Sequence, residues 1–161
     1  MAVHSEPQII PLLSPADIQS AGSDFDSINM GRLHRVKIIV LTGVVTGDNP
    51  VFLAYGGATA GTKTTEIPFR WRKSGADTAS SGADVFGADT VQAADGVGLA
   101  LGTAATVDQR CYTLEFESDQ MPAGMPWLTV FMDDGSASAL FVAAVAIGWP
   151  RFEGETHVTA L

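Results

Sequence analysis

Short apolar runs, each closed off by glycine or proline, set the rhythm of this sequence. Seventeen glycines and eight prolines fall within 161 residues. That punctuation fits an all-β sandwich better than a helical or α/β protein. The runs between the breaks carry the period of a strand. In "HRVKIIVLTG" Val36, Ile38 and Val40 share one face, and Arg35, Lys37, Ile39 and Leu41 share the other. "TGDNP" at 46–50 is turn chemistry, and "VFLAY" returns after it, so the two strands are expected to form a hairpin. In "RCYTLEFES" Tyr112, Leu114 and Phe116 point inward, while Thr113, Glu115 and Glu117 point outward. "WLTVFMDD" runs into the turn "DDGS", which reads as the tip of another hairpin. "ASALFVAAVAIGWP" is apolar on both faces, so it is expected to be a central strand or one covered on its second face by a partner. Shorter strands are expected at 84–92 and 97–101. The count comes to about eight antiparallel strands in a jelly-roll-like β-sandwich spanning 26–161.

Residues 1–25 read differently. "PQIIPLLSP" places Ile9, Ile10, Leu12 and Leu13 between Pro7, Pro11 and Pro15. Proline excludes helix through most of it and makes a central strand unfavourable. The segment is expected to be an extended arm whose four aliphatics need cover, from the body or from a neighbouring chain.

Charge narrows the partners. Nine Lys and Arg face 18 Asp and Glu, a formal charge of −9. Such a field repels phosphate, so neither nucleic acid nor an anionic membrane is an expected partner. The sign is uneven: residues 31–73 hold seven Lys/Arg, whereas 74–134 hold ten Asp/Glu against Arg110 alone. Arg35, Lys37, Arg70, Arg72 and Lys73 are therefore candidates for a basic contact face, with the acidic loops of 74–109 turned to solvent. The stretch "TEIPFRWRKSG" mixes cations with aromatics, as a nucleic-acid groove does, but strand alternation separates them. Ile67, Phe69 and Trp71 fall on one side and Arg70 and Arg72 on the other, and Pro68 marks an edge or a bulge. Cys111 is the single cysteine, so no intrachain disulfide is expected and folding suits a reducing cytoplasm. The N-terminal residues lack the basic and apolar regions of a secretory signal. The longest apolar run, 139–147, is too short to span a bilayer as a helix.

No stretch carries catalytic chemistry. His4, His34 and His157 lack metal-ligand spacing. "DDGS" lacks the alternating oxygen ligands of a calcium loop, and Asp77, Asp84, Asp89 and Asp95 read as loop residues. "GVGLALG" is not framed as a phosphate loop. Glu115 and Glu117 alternate on a solvent-facing strand edge rather than flanking a cleft. Trp71 and Trp127 read as core residues, and Trp149 as an interface anchor. No enzyme activity, cofactor or metal is expected.

Two stretches resemble small virion proteins of tailed bacteriophages: "DSINMGRLHRVKIIVLTGVVTGDNPVFLAYGG" and "YTLEFESDQMPAGMPWLTVFMDDGSASALFVAAVAI". The shared features are an "xINMxxxxxVxxxI" strand before a hairpin and, later, a Pro-Gly loop and an "xLxVxxxDxxxSxxxxVxAI" unit. The resemblance covers about residues 26–72 and 112–152. It implies a jelly-roll-like capsid decoration or cement protein without catalytic residues. Its implied partner is the major capsid protein on the virion exterior, after assembly in a host cytoplasm. A homo-oligomer, dimer or trimer, over a local symmetry axis is expected. The expected interface comprises the arm residues Ile9, Ile10, Leu12 and Leu13, the five cations above and Trp149. The alternative is a β-sandwich adhesion or carbohydrate-binding module of a phage fibre or tail.

Overall fold

Alternation along the chain builds two packed sheets in the computed structural model, which describes residues 7–18, 21–46, 49–75, 84–133 and 138–151. The strands in order are β1 (Gln8–Asp17), β2 (Ser23–Asp24), β3 (Ile28–Asn29), β4 (Leu33–Val45), β5 (Val51–Gly57), β6 (Thr65–Glu66), β7 (Phe69–Lys73), β8 (Thr90–Gln92) and β9 (Leu99–Ala100). A single helical turn, α1 (Ala104–Val107), precedes β10 (Cys111–Glu117), β11 (Trp127–Asp133) and β12 (Leu140–Pro150). The first sheet runs β1-β12-β4-β10-β7-β8 and the second β2-β11-β5-β6, with β3 on β11 and β9 on β5. All pairings are antiparallel.

The order β1-β12-β4-β10 facing β2-β11-β5-β6 is the strand order of a jelly roll, two interlocked Greek keys. The short strands β7 and β8 extend its first sheet. This is the β-sandwich that the glycine and proline rhythm implied. Two expected hairpins are corrected. β4 and β5 lie in opposite sheets and do not pair with each other. β11 and β12 are likewise in opposite sheets, and Asp134–Ser136 of "DDGS" lie outside the described residues. "TEIPFRWR" also divides: Thr65–Glu66 belong to the second sheet and Phe69–Lys73 to the first. Pro68 sits at the crossing, where no ladder hydrogen bond is asked of it.

The segment read as an arm is corrected as well. Residues 8–17 form the first strand of the roll, paired along β12 from Gln8↔Gly148 to Asp17↔Phe141. It is an edge strand, which is where proline is tolerated, and its register slips between Pro11 and Leu13 and again before Ala16. Ile10 and Leu12 enter the core, so they are not available to a neighbour, and Leu13 packs against that core half-buried.

Inward side chains of both sheets fill the space between them. Val36, Ile38, Val40, Tyr112, Leu114, Phe116, Val142, Ala144 and Ala146 come from the first sheet. Phe52, Ala54, Leu128, Val130 and Met132 come from the second. Phe52 meets Phe25 edge-on at 6.4 Å and Tyr112 at 5.7 Å between ring centroids, tying the two sheets together. Gly98, at φ +74°, lets the chain pass close to β5: a Cβ there would lie 2.6 Å from the Phe52 carbonyl oxygen.

Candidate functional site

The two outer faces of the sandwich differ in what they expose. On the second sheet, Thr129 points away from the core yet is buried. Its hydroxyl meets the Ser27 hydroxyl at 2.7 Å, and the Gly61 N–H donates to that serine at 2.8 Å, so the 58–61 loop closes over this face. Trp127 lies on this outer side and is half-buried, not in the core.

Among the described residues no such loop lies over the centre of the first sheet. Cross-strand register sets its outward residues in rows. One row runs Ile9, Ile147, Lys37, Glu115, Arg70, Val91. The next runs Pro11, Val145, Ile39, Thr113, Arg72. Ala143, Leu41 and Cys111 follow, and Trp149, Arg35 and Glu117 form the row at the other end. The face therefore has an apolar half on β1, β12 and β4 and a charged half on β4, β10 and β7. Ile9 is 76% exposed, Phe141 47%, Leu41 46% and Val145 39%. Large apolar side chains grouped in this way are the usual composition of an interaction surface.

The charged half is not a free basic face. Lys37 Nζ lies 2.7 Å from Glu115 Oε1, and Arg35 reaches the same carboxylate at 3.8 Å. Asp89, from the loop before β8, folds back onto β7. It accepts from Arg70 Nε at 2.7 Å and lies 3.9 Å from Arg72 Nε. The Arg35 guanidinium also sits over the Trp149 ring, 4.7 Å from its centroid. The expectation that the 74–109 carboxylates turn to solvent is thus corrected at Asp89, because the outward arginines of β7 attract it. Lys73 alternates away from Arg70 and Arg72 and lines a cavity on the other side of β7.

Of the residues expected at an interface, the fold brings Ile9, Arg35, Lys37, Arg70, Arg72 and Trp149 onto this one face. It withdraws Ile10, Leu12, Leu13 and Lys73 from it. Phe141, Val145 and Leu41 are not among the residues expected there, although the two-sided apolarity of 139–147 is the signal for Phe141 and Val145, and the run of Ile38 to Leu41 is the signal for Leu41.

The hydrogen bond from Arg70, followed by the charges of Arg70, Arg72 and Lys37, holds the Asp89 carboxyl below its ordinary value. A depressed carboxyl favours the folded ladder above its unfolded pKa and loses that contribution as pH falls through the folded value. The Asp89 carboxyl, followed by NMR, should titrate below the ordinary aspartate range, and Arg70→Gln should raise its midpoint. An unmoved midpoint in the variant would show that the pairing does not form.

Asp95 is also held low, by the N–H groups of Val97 and Gly98 that it accepts at 3.0 and 3.1 Å. It is a turn-forming residue. Among the described residues no group of three or more His, Cys, Asp or Glu is placed to hold a metal ion, and no helix is long and apolar enough to cross a membrane. His4, His157 and Asp77 lie outside the described residues.

No protein-family profile and no curated protein matches the chain. Among solved structures, that of the infectious bursal disease virus Gt strain aligns with 98% of this chain and 45% of its own, at 12% identity and a TM-score of 0.24. The T13 particle of the same virus aligns with 94% of this chain and 44% of its own, at 11% identity and 0.21. Desmodium yellow mottle tymovirus gives 97%, 95%, 8% and 0.16. This chain spans under half the length of the two bursal-virus chains. Scores this low assign neither a shared topology nor a role.

Proposed function

We propose that this chain is a non-enzymatic structural protein of a tailed-bacteriophage virion that binds the outer surface of the assembled capsid and stabilises the shell. The observation that carries the reading is the outer face of the first sheet, an exposed apolar half beside charges already paired with one another. Covering the apolar half releases water from contiguous hydrocarbon, at about 25 cal/mol per Å² removed from solvent. The charged half, four cations answered by Glu115, Glu117 and Asp89, fixes register and presents little net charge to phosphate, so it suits a protein surface better than a nucleic acid.

The sheet edges point the same way. β1 carries Pro11 and Pro15, while β8, β2 and β6 have two or three residues each. Edges this short, or interrupted by proline, discourage strand addition and leave a face as the surface for docking. Many copies on one shell, as dimers or trimers over its local axes, convert a modest contact into stable occupancy when subunits are linked. The sequence resemblance to phage virion proteins supplies the partner, the major capsid protein.

Shells loaded with the purified chain should melt at a higher temperature than bare shells, by calorimetry at matched ionic strength. Loading without any rise would remove the stabilising role from the proposal.

A further inference from the structure

A cavity of about 350 Å³ opens beside β7, lined by Trp71, Lys73, Ala88, Thr90, Thr106 and Arg110 among others. Among the described residues Arg110 Nε and Nη1 are buried in its wall without a hydrogen-bond partner. Among the described residues neither Arg110 nor Lys73 makes an ion pair, while Arg35, Lys37, Lys63, Arg70 and Arg72 all do. Two cations with no ion pair among the described residues thus meet in one cavity of a chain whose net charge is −9. A buried N–H left without an acceptor costs about 1–3 kcal/mol, and more on a charged group. Among the described residues no acceptor meets these donors, so the cavity offers two cations to an acceptor that enters it.

The lining narrows what that acceptor belongs to. A carboxylate pairs well with a guanidinium and an ammonium. A bare inorganic anion would satisfy them and leave the Trp71 indole and the Ala88 wall against water. A ring that carries a carboxylate uses both. The volume lies at the small end of ligand cavities, roughly 300–1,000 Å³, enough for one sugar ring. Trp71 and Lys73 alternate with Arg70 and Arg72 along β7, so the cavity lies on the opposite side of that strand from the docking face.

We propose that this cavity binds one acidic sugar unit, a hexuronate, with its carboxylate on Arg110 and Lys73 and its ring against Trp71. The site stays open when the outer face is covered, and it adds glycan recognition to a protein held on a larger assembly.

The test uses the full chain titrated with glucuronate, glucose and inorganic phosphate. The readouts are calorimetry and the Trp71 indole resonance, identified by its loss in Trp71→Phe. Glucuronate should bind saturably and shift that resonance, whereas glucose at the same concentrations should not. Arg110→Gln should weaken glucuronate at least tenfold and Lys73→Gln several-fold. If Arg110→Gln does not fold, Lys73→Gln decides. Absence of saturable glucuronate binding, or unchanged affinity in Lys73→Gln, overturns the proposal. Phosphate binding as tightly as glucuronate also overturns it, by reducing the cavity to a simple anion site.

Discussion

Replacing Phe52 with alanine is expected to cost about 3–5 kcal/mol, the range for emptying a buried aromatic position. For a chain of this length that lowers the melting temperature by roughly 6–20 °C. Phe52 is fully buried on β5 and meets Phe25 and, across the sandwich, Tyr112 of β10. Alanine removes both ring contacts and leaves a cavity between two sheets that are each held by their own hydrogen bonds and cannot easily collapse into it. Tyr112→Phe is the internal contrast. Among the described residues its hydroxyl is buried without a partner, and burial pushes its pKa well above the ordinary value. Deleting an unsatisfied hydroxyl while keeping the ring should leave stability unchanged or raise it. Chemical denaturation of the two variants separates them, and equal losses would mean that the Tyr112 hydroxyl has a partner after all.

Removal of residues 1–18 is expected to abolish cooperative folding. Ile10, Leu12 and Ile18 are each 5% exposed and belong to the central core. Burial of three such side chains contributes about 5–9 kcal/mol, against a typical total stability of roughly 5–15 kcal/mol. The deletion also strips the ladder from one side of β12, leaving a long apolar strand with an open edge, which invites aggregation. Truncation is therefore a test of the fold and not of attachment. Ile9 is the clean probe of the surface, because it lies on the same strand with its side chain in solvent. A truncated chain with an unchanged unfolding midpoint would restore the reading of this segment as an arm.

The contrast between Ile9 and Ile10 shows what was legible in the sequence. Alternation fixes which side chains share a face, and it placed Tyr112, Leu114 and Phe116 in the core and Arg70 and Arg72 outside it. It does not say which sheet receives the next strand. "TGDNP" and "DDGS" report that the chain reverses, yet the strands on either side of each lie in opposite sheets and form no hairpin. Turn chemistry is local, and the choice of sheet is made by packing. The prolines of β1 signalled an exposed backbone edge, and a sheet edge meets that requirement as well as a free arm does. The basic face reads as open in the sequence because Asp89, which pairs with Arg70 and Arg72, lies 19 residues beyond Arg70 in a poorly patterned loop. The apolar half of the docking face was visible as a run with no polar side. The cavity at Arg110 was not, since its lining comes together only when β7, α1 and the start of β10 pack.

Co-sedimentation with assembled capsids tests the central claim most directly, comparing the wild-type chain with an Ile9→Asp, Phe141→Asp double variant. Both positions are exposed on the free protein, so its unfolding midpoint should stay close to wild type. If each side chain contributes about 1.4 kcal/mol to docking, losing both weakens attachment about a hundredfold. Saturable binding of the wild type, with the double variant folded but left in the supernatant, is the predicted result. Equal occupancy by the two proteins, or no wild-type binding to any assembled shell, would contradict the account.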